Sequence, residues 1–274
     1  MKLFCLLCAI TVLTSLSSAR PQSSGNSQSV PSERAQVMPP PQHRFEPPSP
    51  NATAAELEAR GDELRAEKYF VDSIEYYRAA LAKLNRAATI YNKMGMAELF
   101  LQRFHDAQKD FEHAIKLDRN FADAYNNLGV IKYEQRRYGS AVKEYKKAIK
   151  FDPNSASYFS NLGSAYFAKK DWIRANEAYT KAVQLDPEVF NRNSRVGVSA
   201  QMSSPEDEAK FQFVMAKIYA KNGYTDMALV CLRRSMESGY KDINSVYKDS
   251  EFEALRKDPR FTALMANRPA SLPE

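Results

Sequence analysis

The sequence predicts an all-α solenoid in which one helical hairpin is written several times over. Three observations predict it. Five of the nine glycines, Gly61, Gly95, Gly129, Gly163 and Gly197, stand 34 residues apart in a chain of 274. Sixteen residues after each of the first four comes an aromatic side chain (Tyr77, Phe111, Tyr145, Tyr179), and nineteen residues after comes an alanine (Ala80, Ala114, Ala148, Ala182). With each glycine counted as position 8 of a 34-residue unit, position 20 is small as well: Ser73, Ala107, Ala141 and Ala175. Positions 20, 24 and 27 thus follow the i, i+4, i+7 stripe of an amphipathic helix, not the alternation of a strand.

Residues 1–19 precede this lattice. Lys2, an apolar run from Leu3 to Leu16 and the small residues Ser17-Ser18-Ala19 form the pattern of a cleaved export signal. The run is shorter than the roughly twenty residues a spanning helix needs, and an uncleaved anchor is the alternative. Residues 20–52 are rich in Pro, Ser and Gln, with Pro39-Pro40-Pro41 and Pro47, Pro48 and Pro50, and lack a helical stripe. They read as an extended, disordered tether.

Residues 53–187 hold four units. Position 17 supplies Phe70, Phe104, Tyr138 and Trp172, large groups beside the small ones at positions 20 and 27, so that the large fills what the small leaves open. The third and fourth units close on Phe151-Asp152-Pro153 and Leu185-Asp186-Pro187, where proline stops the helix; the second ends Leu117-Asp118-Arg119 without it. Residues 188–208 read as an insertion. The lattice places a fifth first helix around Gly197, yet Asn191-Arg192-Asn193-Ser194 and Ser203-Ser204-Pro205 are loop-like, so Gly197 marks a broken repeat. Within 209–274 the pattern resumes in a shifted phase, with Tyr219, Gly223, Ala228, Leu232 and Ser235 at positions 11, 15, 20, 24 and 27. Phe252, Leu255, Phe261 and Leu264 then suit short helices that cover the last repeat, which an open solenoid end requires.

Position 4 reads Leu57, Tyr91, Tyr125 and Phe159. Taken with positions 8, 17, 20, 24, 27 and 32, the units from Thr53 to Pro187 resemble the tetratricopeptide repeat. The resemblance implies a right-handed superhelical solenoid of tetratricopeptide helical hairpins with a C-terminal helical cap. The tail from Phe252 to Phe261 is similar to that of exported bacterial proteins of this family, so the expected setting is a bacterial periplasm or the secreted fraction. Position 11 departs from the family's large apolar residue, reading Leu64, Glu98, Lys132 and Tyr166. Glu98 and Lys132 occupy equivalent sites on neighbouring helices and predict an inter-repeat ion pair; two separately solvated charges are the alternative.

Catalysis is not expected. The histidines are His43 in the tether and His105 and His113 in the second unit, at the surface or its edge, and no nucleophile elbow, phosphate loop, dinucleotide fingerprint or paired-cysteine metal site appears. No catalytic residue, cofactor or metal is therefore assigned. Once the signal is removed, Cys231 stands alone in an apolar helix as a small packed side chain. The net charge of +6 and the run Lys143, Lys146, Lys147, Lys150 suggest phosphate binding, but Glu144 and Asp152 interrupt the run and an exported chain rarely meets nucleic acid. No nucleic-acid partner is expected, and no stable membrane insertion after signal cleavage.

The resemblance implies a protein or peptide partner held in the concave groove, into which positions 2, 5, 6, 9, 12 and 13 look. The groove residues are Asn92, Lys93, Met96, Phe100, Asn126, Asn127, Val130, Tyr133, Ser160, Asn161, Ser164 and Phe167. Asparagine both donates and accepts, which suits an extended backbone, and Phe100, Tyr133 and Phe167 offer anchoring surface. The alternative is that the asparagines serve local hydrogen bonding and the aromatics complete the core. The variant of the fold that clamps a C-terminal carboxylate uses lysine and arginine where this chain has Asp123, Ser157, Asn127 and Asn161, so that mode is disfavoured. A second functional class is a structural or assembly factor of the cell envelope, acting through self-association into a homo-oligomer or through convex-face contacts.

Overall fold

The computed structural model describes residues 45–84, 87–190 and 204–270. The chain divides into units Met1–Pro40 and Pro41–Glu274, and every described residue belongs to the second. The export signal, most of the tether, Gly197 and most of the insertion lie outside the described residues. The second unit orders α1 (Ala54–Ala66), α2 (Phe70–Ala82), α3 (Ala88–Phe100), α4 (Phe104–Leu117), α5 (Ala122–Glu134), α6 (Tyr138–Phe151), α7 (Ala156–Ala168), α8 (Trp172–Leu185), α9 (Pro205–Lys221) and α10 (Thr225–Glu237). Short 3-10 turns at Ile243–Tyr247, Ser250–Phe252 and Leu255–Lys257 lead into α11 (Pro259–Ala266). Each odd helix packs on the even helix that follows, and each such hairpin packs on the next, so the described residues form an all-α solenoid of five hairpins and a helical cap.

The glycines set how closely the two helices of a hairpin approach. A Cβ placed on Gly61 would stand 2.6 Å from Tyr77 Cε1, and one on Gly95 would stand 2.7 Å from Phe111 Cε1; Gly129 and Gly163 meet Tyr145 and Tyr179 in the same way. All four rings are wholly buried, as are Ala80, Ala114, Ala148 and Ala182. In the fifth hairpin both partners change: position 8 is Ala216 and position 24 is Leu232, each buried. A branched aliphatic chain leaves room there for the methyl group that a ring excludes.

The turn inside each hairpin has one geometry. Lys68, Gln102, Arg136 and Lys170 sit at φ of 68°, 59°, 58° and 60°, with Gly223 at 80° in the fifth. The next residue's N–H then reaches back to the carbonyl of position 11: Tyr69 to Leu64 at 2.8 Å, Arg103 to Glu98 at 2.9 Å, Arg137 to Lys132 at 2.8 Å, Asp171 to Tyr166 at 3.0 Å and Tyr224 to Tyr219 at 2.9 Å. This is a Schellman closure, and it uses only the backbone of position 11, whose side chain is thereby free to vary. Between hairpins, the Asp118, Asp152 and Asp186 carboxylates accept the N–H of Asn120, Asn154 and Glu188 at 2.9, 3.0 and 2.9 Å. Such Asx turns end the helix whether proline follows, as in the third and fourth units, or not, as in the second.

The described ends differ from the sequence expectation. Residues 45–52, assigned to the tether, lie along the first hairpin. Phe45 meets Tyr69 edge to face at 4.8 Å, the Tyr76 hydroxyl donates to the Glu46 carbonyl at 3.0 Å, and Lys83 Nζ donates to the Pro50 carbonyl at 2.7 Å. The segment carries no helical stripe because it packs through one ring and its backbone carbonyls. Residues 205–208, assigned to the insertion, are the first turn of α9: Ser204 caps the helix by accepting the Asp207 N–H at 3.1 Å, with Pro205 at the first helical position. Serine before proline is here a helix start. At the other end Phe252, Leu255, Phe261 and Leu264 are buried under the cap, where Phe213 stacks on Tyr240 at 4.5 Å and meets Phe252 at 5.6 Å.

The ion pair expected between Glu98 and Lys132 does not form. The Glu98 carboxylate, only 2% exposed, takes Arg78 at 3.3 Å and Arg103 at 3.2 Å, while Lys132 Nζ donates to Gln108 Oε1 at 2.8 Å. The side-chain contacts that do join neighbouring first helices pair residues 35 or 31 apart, not the equivalent positions 34 apart. Asp110 faces this cluster, and burial, reinforced by the Glu98 charge, pushes its carboxyl up to about 7 against the opposing pull of Arg78. A carboxyl that keeps its proton longer in the folded than in the unfolded chain makes stability fall as pH rises. We expect the urea midpoint to drop between pH 4 and pH 7 and the drop to shrink in Asp110→Asn. An equal pH dependence in the variant would show that Asp110 is ionised like any exposed aspartate.

Candidate protein-binding surfaces

The expected groove residues all lie on α3, α5 and α7, one helix from each of three consecutive hairpins. All are buried except Lys93, which is partly exposed, and Phe100, which is 49% exposed. Their polar groups are largely engaged with one another. Asn127 Nδ2 donates to Asn92 Oδ1 at 3.0 Å, and Asn161 Nδ2 donates to Asn126 Oδ1 at 2.9 Å. Asn126 Nδ2 donates to Asn127 Oδ1 at 3.3 Å, and Asn92 Nδ2 meets Met96 Sδ at 3.8 Å. Position 6 of the third and fourth hairpins therefore fastens to position 5 of the one before.

The second hairpin uses charge for the same purpose. Lys93, also at position 6, donates to Glu58 Oε1 and Asp62 Oδ2, both at 2.6 Å. Burial alone would lower its ammonium, but the two carboxylates outweigh that and hold it above the ordinary lysine value. No hairpin precedes the first among the described residues, and its position 6 is the exposed Ala59. A related contact joins Tyr158 to the Asp123 carboxylate. Apart from Lys93 to Asp62, which spans 31 residues, these inter-repeat pairs are 35 residues apart, one repeat plus one, the signal that reading the lattice at 34 passes over.

Position 9 serves the ring of position 24. Asp62 Oδ1 accepts the Tyr77 hydroxyl at 2.8 Å and Ser164 Oγ accepts the Tyr179 hydroxyl at 3.3 Å, while Met96 accompanies Phe111, which has no hydroxyl. Val130 offers no acceptor, and the buried Tyr145 hydroxyl has no hydrogen-bond partner among the described residues. Tyr133 tilts against Tyr138 at 5.2 Å and Phe167 meets Trp172 edge to face at 5.0 Å, so both act as core as much as lining. Phe100 differs, since it stacks flat on Phe70 at 4.8 Å and leaves half its surface open.

Family models for the tetratricopeptide repeat match residues 88–121 and 156–189, and a further TPR-repeat model matches 131–170. The chain is a tetratricopeptide-repeat protein. No curated protein matches the sequence. Among solved structures, PilF from Pseudomonas aeruginosa is similar at 17% identity and a TM-score of 0.52, over 78% of this chain and 97% of that one, which supports the fold. MamA from Desulfovibrio magneticus RS-1 is similar at 18% identity and a TM-score of 0.48, over 71% and 99%. The first TPR of Spaghetti, bound to the HSP90 peptide SRMEEVD, is similar at 18% identity and a TM-score of 0.37, over 46% and 92%.

In these tetratricopeptide repeats the other candidate groups are quiet. His105 and His113 are exposed, and His113 stacks on Tyr91 at 5.1 Å. Cys231 is buried, which pushes its thiol up to about 12 and leaves it without thiolate character at neutral pH. Among the described residues no group of three His, Cys, Asp or Glu side chains is placed to hold a metal, and no helix is long and apolar enough to cross a membrane. The asparagine ladder makes the sharpest prediction. Asn127→Ala leaves the buried Asn92 oxygen without its donor, and each such loss costs about 1–3 kcal/mol. We expect a clear fall in unfolding free energy by urea titration; an unchanged midpoint would free the amide for a ligand.

Proposed function

We propose that the protein is a non-enzymatic interaction scaffold that receives a peptide or protein segment on the inner face formed by α3, α5 and α7, with Phe100 as its first anchor. The observation that carries this reading is the half-exposed Phe100 ring, held flat by Phe70 on a face whose other large side chains are buried. A fixed aromatic surface loses little conformational freedom when a ligand covers it. Beside it in the stack, Lys93, Glu58 and Asp62 retain 26%, 28% and 37% side-chain exposure, an ion-paired polar rim that keeps the first two hairpins accessible. The asparagine row then acts mainly as the spine that holds this face in shape.

Function outside the cytoplasm belongs to the same proposal, on the strength of the apolar run from Leu3 to Leu16 followed by Ser17-Ser18-Ala19. In that setting the prolines between residues 20 and 44 supply reach between an entry point and the repeats. A photo-cross-linking phenylalanine analogue placed at Phe100 in the native host should yield a discrete protein adduct, whereas the same analogue at the exposed Gln184 should not. Adducts from position 184 alone, or from neither position, would contradict binding at the inner face.

A further inference from the structure

Position 11 supplies a surface that the inner face does not use. Glu98 and Lys132 carry charge to this position in the second and third hairpins, where arginine and glutamine partners occupy them. In the fourth hairpin the residue is Tyr166, and a cavity of about 290 Å3 opens between α6 and α8 with α7 as its floor. Phe159, Leu162 and Tyr166, at i, i+3 and i+7, line it from one side of α7, while the groove residues Ser160, Asn161 and Ser164 occupy the opposite side of that helix. Lys146 from α6 and Arg174 from α8 lie over the Tyr166 ring, at 5.9 and 4.9 Å from its centroid.

We propose that this cleft is a second docking site, which takes an acidic segment of a partner protein bearing one carboxylate beside a bulky aliphatic side chain. The floor is apolar and recessed, so an aliphatic group gains by covering it. The two cations converge where the carboxylate of such a segment would lie, and Lys143, Lys146 and Lys150 make no ion pair among the described residues, which leaves α6 with unspent positive charge. Acidic side chains set the limit on the ligand. Glu177 lines the cleft and Asp171 pairs with Arg174, so a continuous polyanion or an anionic membrane would press against carboxylates at the site. A single carboxylate on a peptide avoids them. The site is independent of the Phe100 face.

The test uses the full chain and a fluorescein-labelled, C-terminally amidated peptide of sequence Gly-Leu-Glu-Leu-Gly, read by anisotropy, with a glutamine-for-glutamate peptide as control. Lys146→Gln and Arg174→Gln alter exposed side chains, and an unchanged melting temperature confirms that the doubly substituted chain is folded. The expected results are saturable binding, about tenfold weaker in the double variant and about tenfold weaker for the glutamine peptide, the loss of one charge-assisted contact. Phe100→Ala should leave this binding unchanged. Equal affinity for both peptides, or an undiminished affinity in the double variant, overturns the proposal. Failure of the peptide to bind, together with phosphatidylglycerol vesicles captured by the wild type and lost in the double variant, overturns it in favour of a membrane surface.

Discussion

The contact between a glycine and an aromatic ring within each hairpin is what the rest of this structure depends on. A ring at position 24 lies where a Cβ at position 8 would be, so the ring packs directly on the backbone of the first helix. That approach fixes the hairpin geometry, and the hairpin geometry fixes where the next one stacks. Glycine in a helix interior is otherwise unfavourable by about 1 kcal/mol relative to alanine, and it appears here four times because the ring needs the space. The fifth hairpin supports the same logic from the opposite direction, with Ala216 and Leu232 replacing glycine and ring together.

Around that contact the chain layers a second kind of fastening. Lys93 to Glu58, Asn127 to Asn92, and Asn161 to Asn126 tie α3, α5 and α7 to their predecessors by side chains one repeat plus one residue apart, and Lys93 adds a second contact to Asp62. These bonds turn a row of hairpins into one stiff face. They also divide the surface by role, since residues used as fasteners are not free to meet a ligand. What remains outward is uneven: Phe100 on the inner side near the N-terminal hairpins, and the cation-lined Tyr166 cleft on the other side of the fourth.

The hairpins, their aromatic and small positions and their aspartate stops were legible because they recur in phase. The glycine partners were legible for the same reason, as sixteen residues is a fixed distance along two antiparallel helices. The inter-repeat fasteners were not, because like positions were taken to meet like. The stack instead brings position 6 against position 5, and Glu98 finds Arg78 and Arg103 instead of Lys132. The left-handed turn residue is also hidden, since Lys68, Gln102, Arg136 and Lys170 are long polar side chains of a kind common on any exposed surface and only Gly223 announces its backbone. The donor and acceptor that suit an asparagine to a ligand backbone also let the asparagines satisfy each other when buried.

A double-mutant cycle on Gly129 and Tyr145 tests the central contact most directly. Tyr145 is the apt partner because its hydroxyl makes no hydrogen bond among the described residues, so a change there reads packing. Gly129→Ala alone should cost about 1–3 kcal/mol of unfolding free energy, the usual range for overpacking, despite alanine's better helix propensity. In a Tyr145→Leu background, which reproduces the fifth hairpin, the same substitution should be neutral or stabilising by up to about 1 kcal/mol. Strict additivity of the two changes would contradict the account, because it would mean that the glycine is not there for the ring.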